Sequence, residues 1–131
     1  MCISFIYVNP PGNHSIKYKL VIANNRDEFF ERTTLPANYW KSNNQIISGL
    51  DCDGATKNGL HGTWLAITAD ENIIKFGNLL NISGEKKHSD GRGTIVSSFM
   101  SENISVEDYN IKLLDASQLY NSFSFVSAEI R

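Results

Sequence analysis

Short apolar runs, each broken by polar or glycine-rich stretches, fill the first half of the chain, and a helical spacing emerges only near Thr94. The run Cys2 to Val8, "CISFIYV", is rich in β-formers and reads as a strand. "NPPGNHS" follows with the Pro, Gly and Asn content of a turn. "YKLVIAN", Tyr18 to Asn24, reads as a second strand, so the two are expected to form a hairpin. "NRDEFFERTTLPANYW" reads as irregular chain or a short helical turn, and Ile46 to Ser48 as a short third strand. Beyond the loop "GLDCDGATKNGLHG", the runs "TWLAIT" and "IIKFGN" flank "ADEN" as a second hairpin.

The polar stretch "ISGEKKHSDGRG" then leads into helix. Ile95, Val96, Phe99 and Met100 fall on one helical face. Ser105, with Asp108 three residues on, is a weaker form of the capping box and opens a second helix. Its apolar stripe is Val106, Tyr109, Leu113 and Leu114. "NSFSFVSAEIR" reads as a last strand. The pattern predicts an α+β fold, mostly antiparallel strands followed by helices, in one domain over residues 1–131. The chain stops directly on that strand, so the expectation is a domain truncated at its C-terminus.

Composition supports a folded domain. Of the 131 residues 41% are hydrophobic, and seven Phe, five Tyr and two Trp can supply a core. The formal charge is −2 and the basic residues are scattered. Their densest spot, Lys86-Lys87-His88, reads as a solvated loop, and nothing forms a nucleic-acid footprint. No stretch approaches the roughly 18 apolar residues of a membrane span. Ile3 to Val8 is too short for a signal peptide and has no basic segment before it. No arginine precedes Arg26, which argues against an Arg-rich presequence. The expected location is therefore cytoplasmic, not secreted, with both cysteines reduced. The N-x-S triplets at Asn13, Asn81 and Asn103 read as chance matches.

The chemistry concentrates at the two ends of the first hairpin. Antiparallel pairing places the start of the first strand beside the end of the second, so Cys2 is expected near Asn24 to Asp27. If Met1 is removed, Cys2 carries a thiol and a free α-amine on one residue. The amine titrates near 7.7–8.0 and can accept a proton at neutral pH. Arg26 can lower the thiol pKa, and Asp27 can orient the amine. Asn78, at the end of "IIKFGN", can donate to a tetrahedral oxyanion. The plain alternative is a small buried residue at position 2 and an Arg–carboxylate network that fixes a loop.

The start "MCI", the block "NRDEFFER", the tryptophan after it, "SGLD", "GTWLAI", a strand ending in Asn and "GRG" stand in one order. Together they resemble the NRDE-motif family, known as transport and Golgi organisation protein 2, over essentially all 131 residues. The likeness is to that family's amino-terminal half. His61, Ala66, Thr33 and Gly77 depart from the family pattern. The family in turn resembles N-terminal nucleophile hydrolases, which implies the first half of an αββα sandwich. Carried over, that resemblance implicates Cys2, Arg26, Asp27 and Asn78 as catalytic if the protein is an enzyme.

The family also implies secretory-pathway and Golgi organisation, with haem or acyl lipid as ligand and Golgi or mitochondrial association. On that reading Asn25, Arg26, Asp27, Glu28 and Trp64 are the ligand-binding candidates. Haem would be a transported ligand and no resident cofactor is expected; the trafficking partner is unknown. Trp40 and Trp64 read as core or pocket wall, where a porphyrin could stack. His14, His61 and His88 lack metal-ligand spacing, and Cys52 is only a remote candidate for haem iron. Three functions compete. The preferred one is a non-enzymatic binding and trafficking protein. The others are a cysteine amidohydrolase acting on linear amides and a scaffold for a trafficking partner.

Overall fold

In a computed structural model of the protein, the described residues are 2–54, 61–70, 73–84 and 91–131. Met1, Lys86-Lys87-His88, the middle of the "GLDCDGATKNGLHG" loop and the tip of "ADEN" lie outside them. The first hairpin forms as expected. Strand β1 (Ile3–Val8) pairs antiparallel with β2 (Leu20–Asn25), with Ile3 opposite Asn25 and Val8 opposite Leu20. At its closed end Asn13 N–H bonds the Pro10 carbonyl at 3.2 Å, and Gly12 takes φ +84°. That value suits the third position of a turn, where glycine alone carries no steric cost.

A second sheet has five strands in the order β3-β4-β5-β6-β7, all antiparallel. They are β3 (Thr34–Tyr39), β4 (Ile46–Asp51), β5 (Leu65–Ala69), β6 (Ile74–Asn81) and β7 (Phe123–Ile130). Strand β3 corrects the reading of "NRDEFFERTTLPANYW": residues 26–33 are irregular, but 34–39 are extended. All six of its residues are exposed, so no apolar alternation marks it. Pro36 is tolerated because β3 is an edge strand, and the pairing shifts register between Leu35 and Asn38. Strand β4 runs three residues beyond the expected Ser48, to Asp51. The β5–β6 hairpin and β7 fall where the pattern put them.

The chain passes from β6 to β7 through α1 (Thr94–Ser101) and α2 (Val106–Asp115), which pack on one face of the larger sheet. Ser105 caps α2 by accepting the Asp108 N–H at 3.1 Å. Ile95, Val96, Phe99 and Met100 are all buried, as their spacing requires. Gly77 on β6 permits this approach, because a Cβ there would lie 3.0 Å from Met100 Cε and 3.2 Å from Phe99 Cδ1. Phe99, Tyr109 and Phe125 form a ring cluster with centroids 5.0–6.0 Å apart. The α2 stripe is narrower than expected: Tyr109 is buried and Val106 and Leu113 pack at its edge, but Leu114 is 71% exposed.

The fold is thus α+β, with two antiparallel sheets and two α-helices among the described residues. Among the described residues both helices lie on the same side of the larger sheet, and β1–β2 approaches its other side. No helix is long and apolar enough to cross a membrane among the described residues.

Candidate functional site

Residue 2 sits immediately before β1, and residues 26–33 leave the end of β2, so the hairpin register itself brings them together. The Cys2 Sγ accepts the Asp27 N–H at 3.3 Å and lies 3.5 Å from the Asp27 carbonyl oxygen. The sulfur therefore rests against the backbone of Asp27. Both cysteines, Cys2 and Cys52, are free thiols.

Arg26 is held on two sides. Its Nη2 donates to Asp51 Oδ2 at 3.2 Å and to Glu28 Oε2 at 3.5 Å. Its Cζ lies 4.4 Å from the centre of the Trp64 ring, a cation–π contact. Asp51 is the hub. Arg32 Nε reaches both of its oxygens, at 2.8 and 3.1 Å, and Asp53 N–H donates at 3.2 Å. The hydrogen bond that Arg32 donates to Asp51 raises the Arg32 pKa above its ordinary value, with burial opposing and the charges of Asp51, Glu28 and Asp53 adding. Two guanidinium groups thus converge on one buried carboxylate, with Glu28 beside them.

Asn78 is fully buried on β6. Its Nδ2 donates to the Trp64 carbonyl at 3.0 Å, and its Oδ1 accepts the Ser4 hydroxyl at 2.6 Å. Ser4 in turn accepts from Asn24 Nδ2 at 2.7 Å. Asn24 Oδ1 is buried without a partner among the described residues. Ser4 lies two positions from Cys2, hence on the same side of the strand. The chain Asn24–Ser4–Asn78 so links the smaller sheet to the larger one beside the cysteine.

Between the sheets runs an apolar cleft of about 1080 Å³. Leu20 and Ile22 of β2 form one wall, and Ile47, Ile67, Phe76 and Ile130 of the larger sheet form the other. Trp64, whose carbonyl accepts the Asn78 amide, also lines the cleft. Gly49 makes room for this indole, since a Cβ there would stand 2.9 Å from Trp64 Cη2.

The expected neighbours Cys2 and Asp27 do meet, and Arg26, Glu28 and Trp64 form one cluster. Asn78 joins through Ser4. Asn25 ends β2 opposite Ile3 and is exposed. Of the five ligand-binding candidates, only Trp64 lines the cleft. Trp40 belongs to the core on the helix side, where its indole N–H donates to Ser48 Oγ at 2.6 Å. His14 and His61 are exposed. No group of three or more His, Cys, Asp or Glu side chains could hold a metal among the described residues. The sequence reading missed Ser4, Arg32 and Asp51. Only Asp51 carried a signal, as the acid that ends "SGLD" at the mouth of a strand.

Fold and site define an α+β chain whose NRDE segment is locked by Asp51 beside an inter-sheet cleft. The family model of Transport and Golgi organisation 2 matches residues 1–131, and the chain belongs to that family. It is 41% identical over 138 residues to Transport and Golgi organization protein 2 of Drosophila melanogaster. It is 34% identical over 132 residues to the Mus musculus homolog and 32% over 130 residues to that of Homo sapiens. Each alignment covers 99% of this chain and 46% of the relative, so the chain spans about half the length of the curated relatives it matches.

Proposed function

We propose that the chain binds an acyl lipid as its part in a transport and Golgi-organisation role, the role its relatives' names describe. The observation that supports this is the cleft between the sheets. Its volume of about 1080 Å³ is at the upper end of the range for small-molecule sites, and its walls are mainly aliphatic. An acyl chain is the ligand that such walls favour, because burying methylenes is worth about 0.8 kcal/mol each. Haem fits less well. It would need an axial ligand, and the lining holds no His, Cys or Met among the described residues.

The test is equilibrium binding of a fluorescent long-chain fatty acid to the purified chain, with haem titrated in parallel. Ile67 is 42% exposed on the cleft wall, so Ile67→Glu should place a charge there without unfolding the sheet. The expected result is acyl binding that Ile67→Glu abolishes. Absence of acyl binding to a folded wild-type chain overturns the reading.

A second reading is supported by the contact between Cys2 Sγ and Asp27, with Asn78 on the same side of β1. It is a cysteine amidohydrolase with Cys2 as nucleophile, Asp27 orienting its α-amine, Arg26 as a local positive charge and Asn78 as oxyanion donor. Turnover of an acyl-amide panel that vanishes in Cys2→Ser would establish it. We place it second because the geometry gives Arg26 and Asn78 structural partners already.

A further inference from the structure

The helices leave part of their sheet face open. Helix α1 packs on β5 and β6, and α2 on β7. Beside β3 and β4 the same face holds a second cavity, of about 570 Å³, within the range of small-molecule sites. Its apolar walls include Leu35, Pro36, Trp40 and Leu50. Trp40 is 7% exposed and belongs to the helix-side core. Leu35 stands opposite Leu50 in the register, so both look to one side.

Ser48 also lines this cavity and is only 4% exposed. The register runs from Ser48 to Ala66 to Gly77, the glycine beneath Phe99 and Met100. The Ser48 side chain therefore faces the helix side, away from the inter-sheet cleft. Its Oγ accepts the Trp40 indole N–H at 2.6 Å. A hydroxyl also has one proton to donate. Among the described residues that proton meets no acceptor, so Ser48 keeps an unused donor in a place where donors are normally matched.

The rim carries basic groups and no acid. His61 and Lys41 are exposed there, the lining holds no Asp or Glu, and neither basic residue forms an ion pair among the described residues. Gly62 bridges to Asp51, whose side chain turns to Arg26. Alternation then sets His61 on the side of Leu50. Lys41 stands in the bend that follows β3.

We propose that this second cavity binds a small organic monoanion, a carboxylate on a compact apolar body, with a carboxylate oxygen accepting the Ser48 proton. The body rests against Trp40 and Leu50, and His61 and Lys41 favour the negative charge. A hydrogen bond to an ionised acceptor is stronger than one to a neutral oxygen, so the acid is preferred over its alcohol. The buried part of the lining offers one donor, which matches a carboxylate oxygen and not a fully hydrated phosphate. The site lies on the other side of the sheet from the proposed acyl-lipid cleft, and neither reading depends on the other.

The probe is naphthoate, with naphthylmethanol as its neutral counterpart, and the readout is the two indole N–H signals in a nitrogen–proton correlation spectrum. The chain has two tryptophans, and Trp64 lines the cleft, so each cavity has its own reporter. Trp64→Phe assigns the signals. The expected result is a saturable shift of the Trp40 signal, with naphthoate bound about tenfold or more tightly than naphthylmethanol. Ser48→Ala should weaken naphthoate about tenfold. Because that change also strips Trp40 of its acceptor, a second variant uses the exposed rim: Lys41→Met with His61→Ala should cut the preference for acid over alcohol about threefold or more. An unchanged preference in the rim variant overturns the proposal, as does equal affinity for acid and alcohol in wild type. So does a shift of Trp64 without Trp40, or no shift at all on a folded chain. Displacement of naphthoate by an equal concentration of inorganic phosphate would show a bare anion site and overturn the carboxylate assignment.

Discussion

The hydroxyl of Ser4 donates to the buried Oδ1 of Asn78 across the space between the two sheets, at 2.6 Å. The strand that follows Cys2 is thereby tied to β6 of the larger sheet. Ser4→Ala removes the donor and leaves a fully buried amide oxygen unsatisfied. The expected cost is about 1–3 kcal/mol. Urea denaturation should show a lower midpoint with an unchanged slope, the sign of a stability change without a change in exposed surface.

Asp51 neutralises two arginines at once. Asp51→Asn keeps the shape and removes the charge, leaving Glu28 as the ion-pair partner of Arg26 and Arg32 among the described residues. All these groups are partly screened by solvent, so the expected loss is about 1–3 kcal/mol, below that of a fully buried pair. A double-mutant cycle with Arg32→Gln should show a coupling of at least about 0.5 kcal/mol, which separates a shared network from independent effects.

Tyr109 gives the fold an alkaline limit. Burial, then the charges of Glu102 and Tyr120, raise its pKa well above the ordinary 10.0. The folded chain keeps the phenol protonated where the unfolded chain has lost the proton. Stability from this group is therefore full below about pH 10 and falls as pH rises toward the folded value. Thermal melts between neutral and strongly alkaline pH should show this decline. Tyr109→Phe should flatten that slope while lowering neutral stability, since it loses the 2.6 Å bond to the Ile95 carbonyl.

Gly49 is needed for the position of Trp64. Gly49→Ala forces the indole to shift, because the new Cβ would stand 2.9 Å from its ring and 3.3 Å from the Leu35 carbonyl oxygen. A cost of about 1–3 kcal/mol is expected from overpacking. The same change should alter tryptophan emission, as Trp64 moves relative to Arg26.

The face of β1–β2 turned away from the cleft carries Ile3, Phe5, Tyr7 and Val21, exposed by 42, 65, 39 and 44%. An apolar patch of this kind favours association. Sedimentation of the chain should show concentration-dependent self-association, reduced by Phe5→Thr with Tyr7→Thr. A strictly monomeric species at high concentration would contradict this.

Local signals in the sequence found what local physics builds. The β1–β2 and β5–β6 hairpins follow from apolar runs around turn residues, and α2 from Ser105 and its stripe. The meeting of Cys2 with Asp27 followed from hairpin geometry alone. Strand β3 was hidden because an exposed edge strand needs no alternation, and Pro36 argued against it. Ser4 and Asp51 were hidden for another reason. Each acts through a partner that only the sheet register or a distant loop supplies, 74 positions away for Asn78 and 25 for Arg26. The cleft left no trace, because Leu20, Ile22, Ile67 and Ile130 read as ordinary strand core.

The proline and the register shift in β3 also decide where a foreign strand can dock. Pro36 has no N–H to offer, and the break between Leu35 and Asn38 spoils the regular spacing that a template requires. The β3 border of the larger sheet is thus guarded against fibril-like growth. Among the described residues the smaller sheet has no such guard: β1 and β2 each keep one open border, their ladder is regular over six pairs, and neither contains proline. Within this chain, a strand added to a sheet edge meets fewer obstacles at β1 or β2 than at β3.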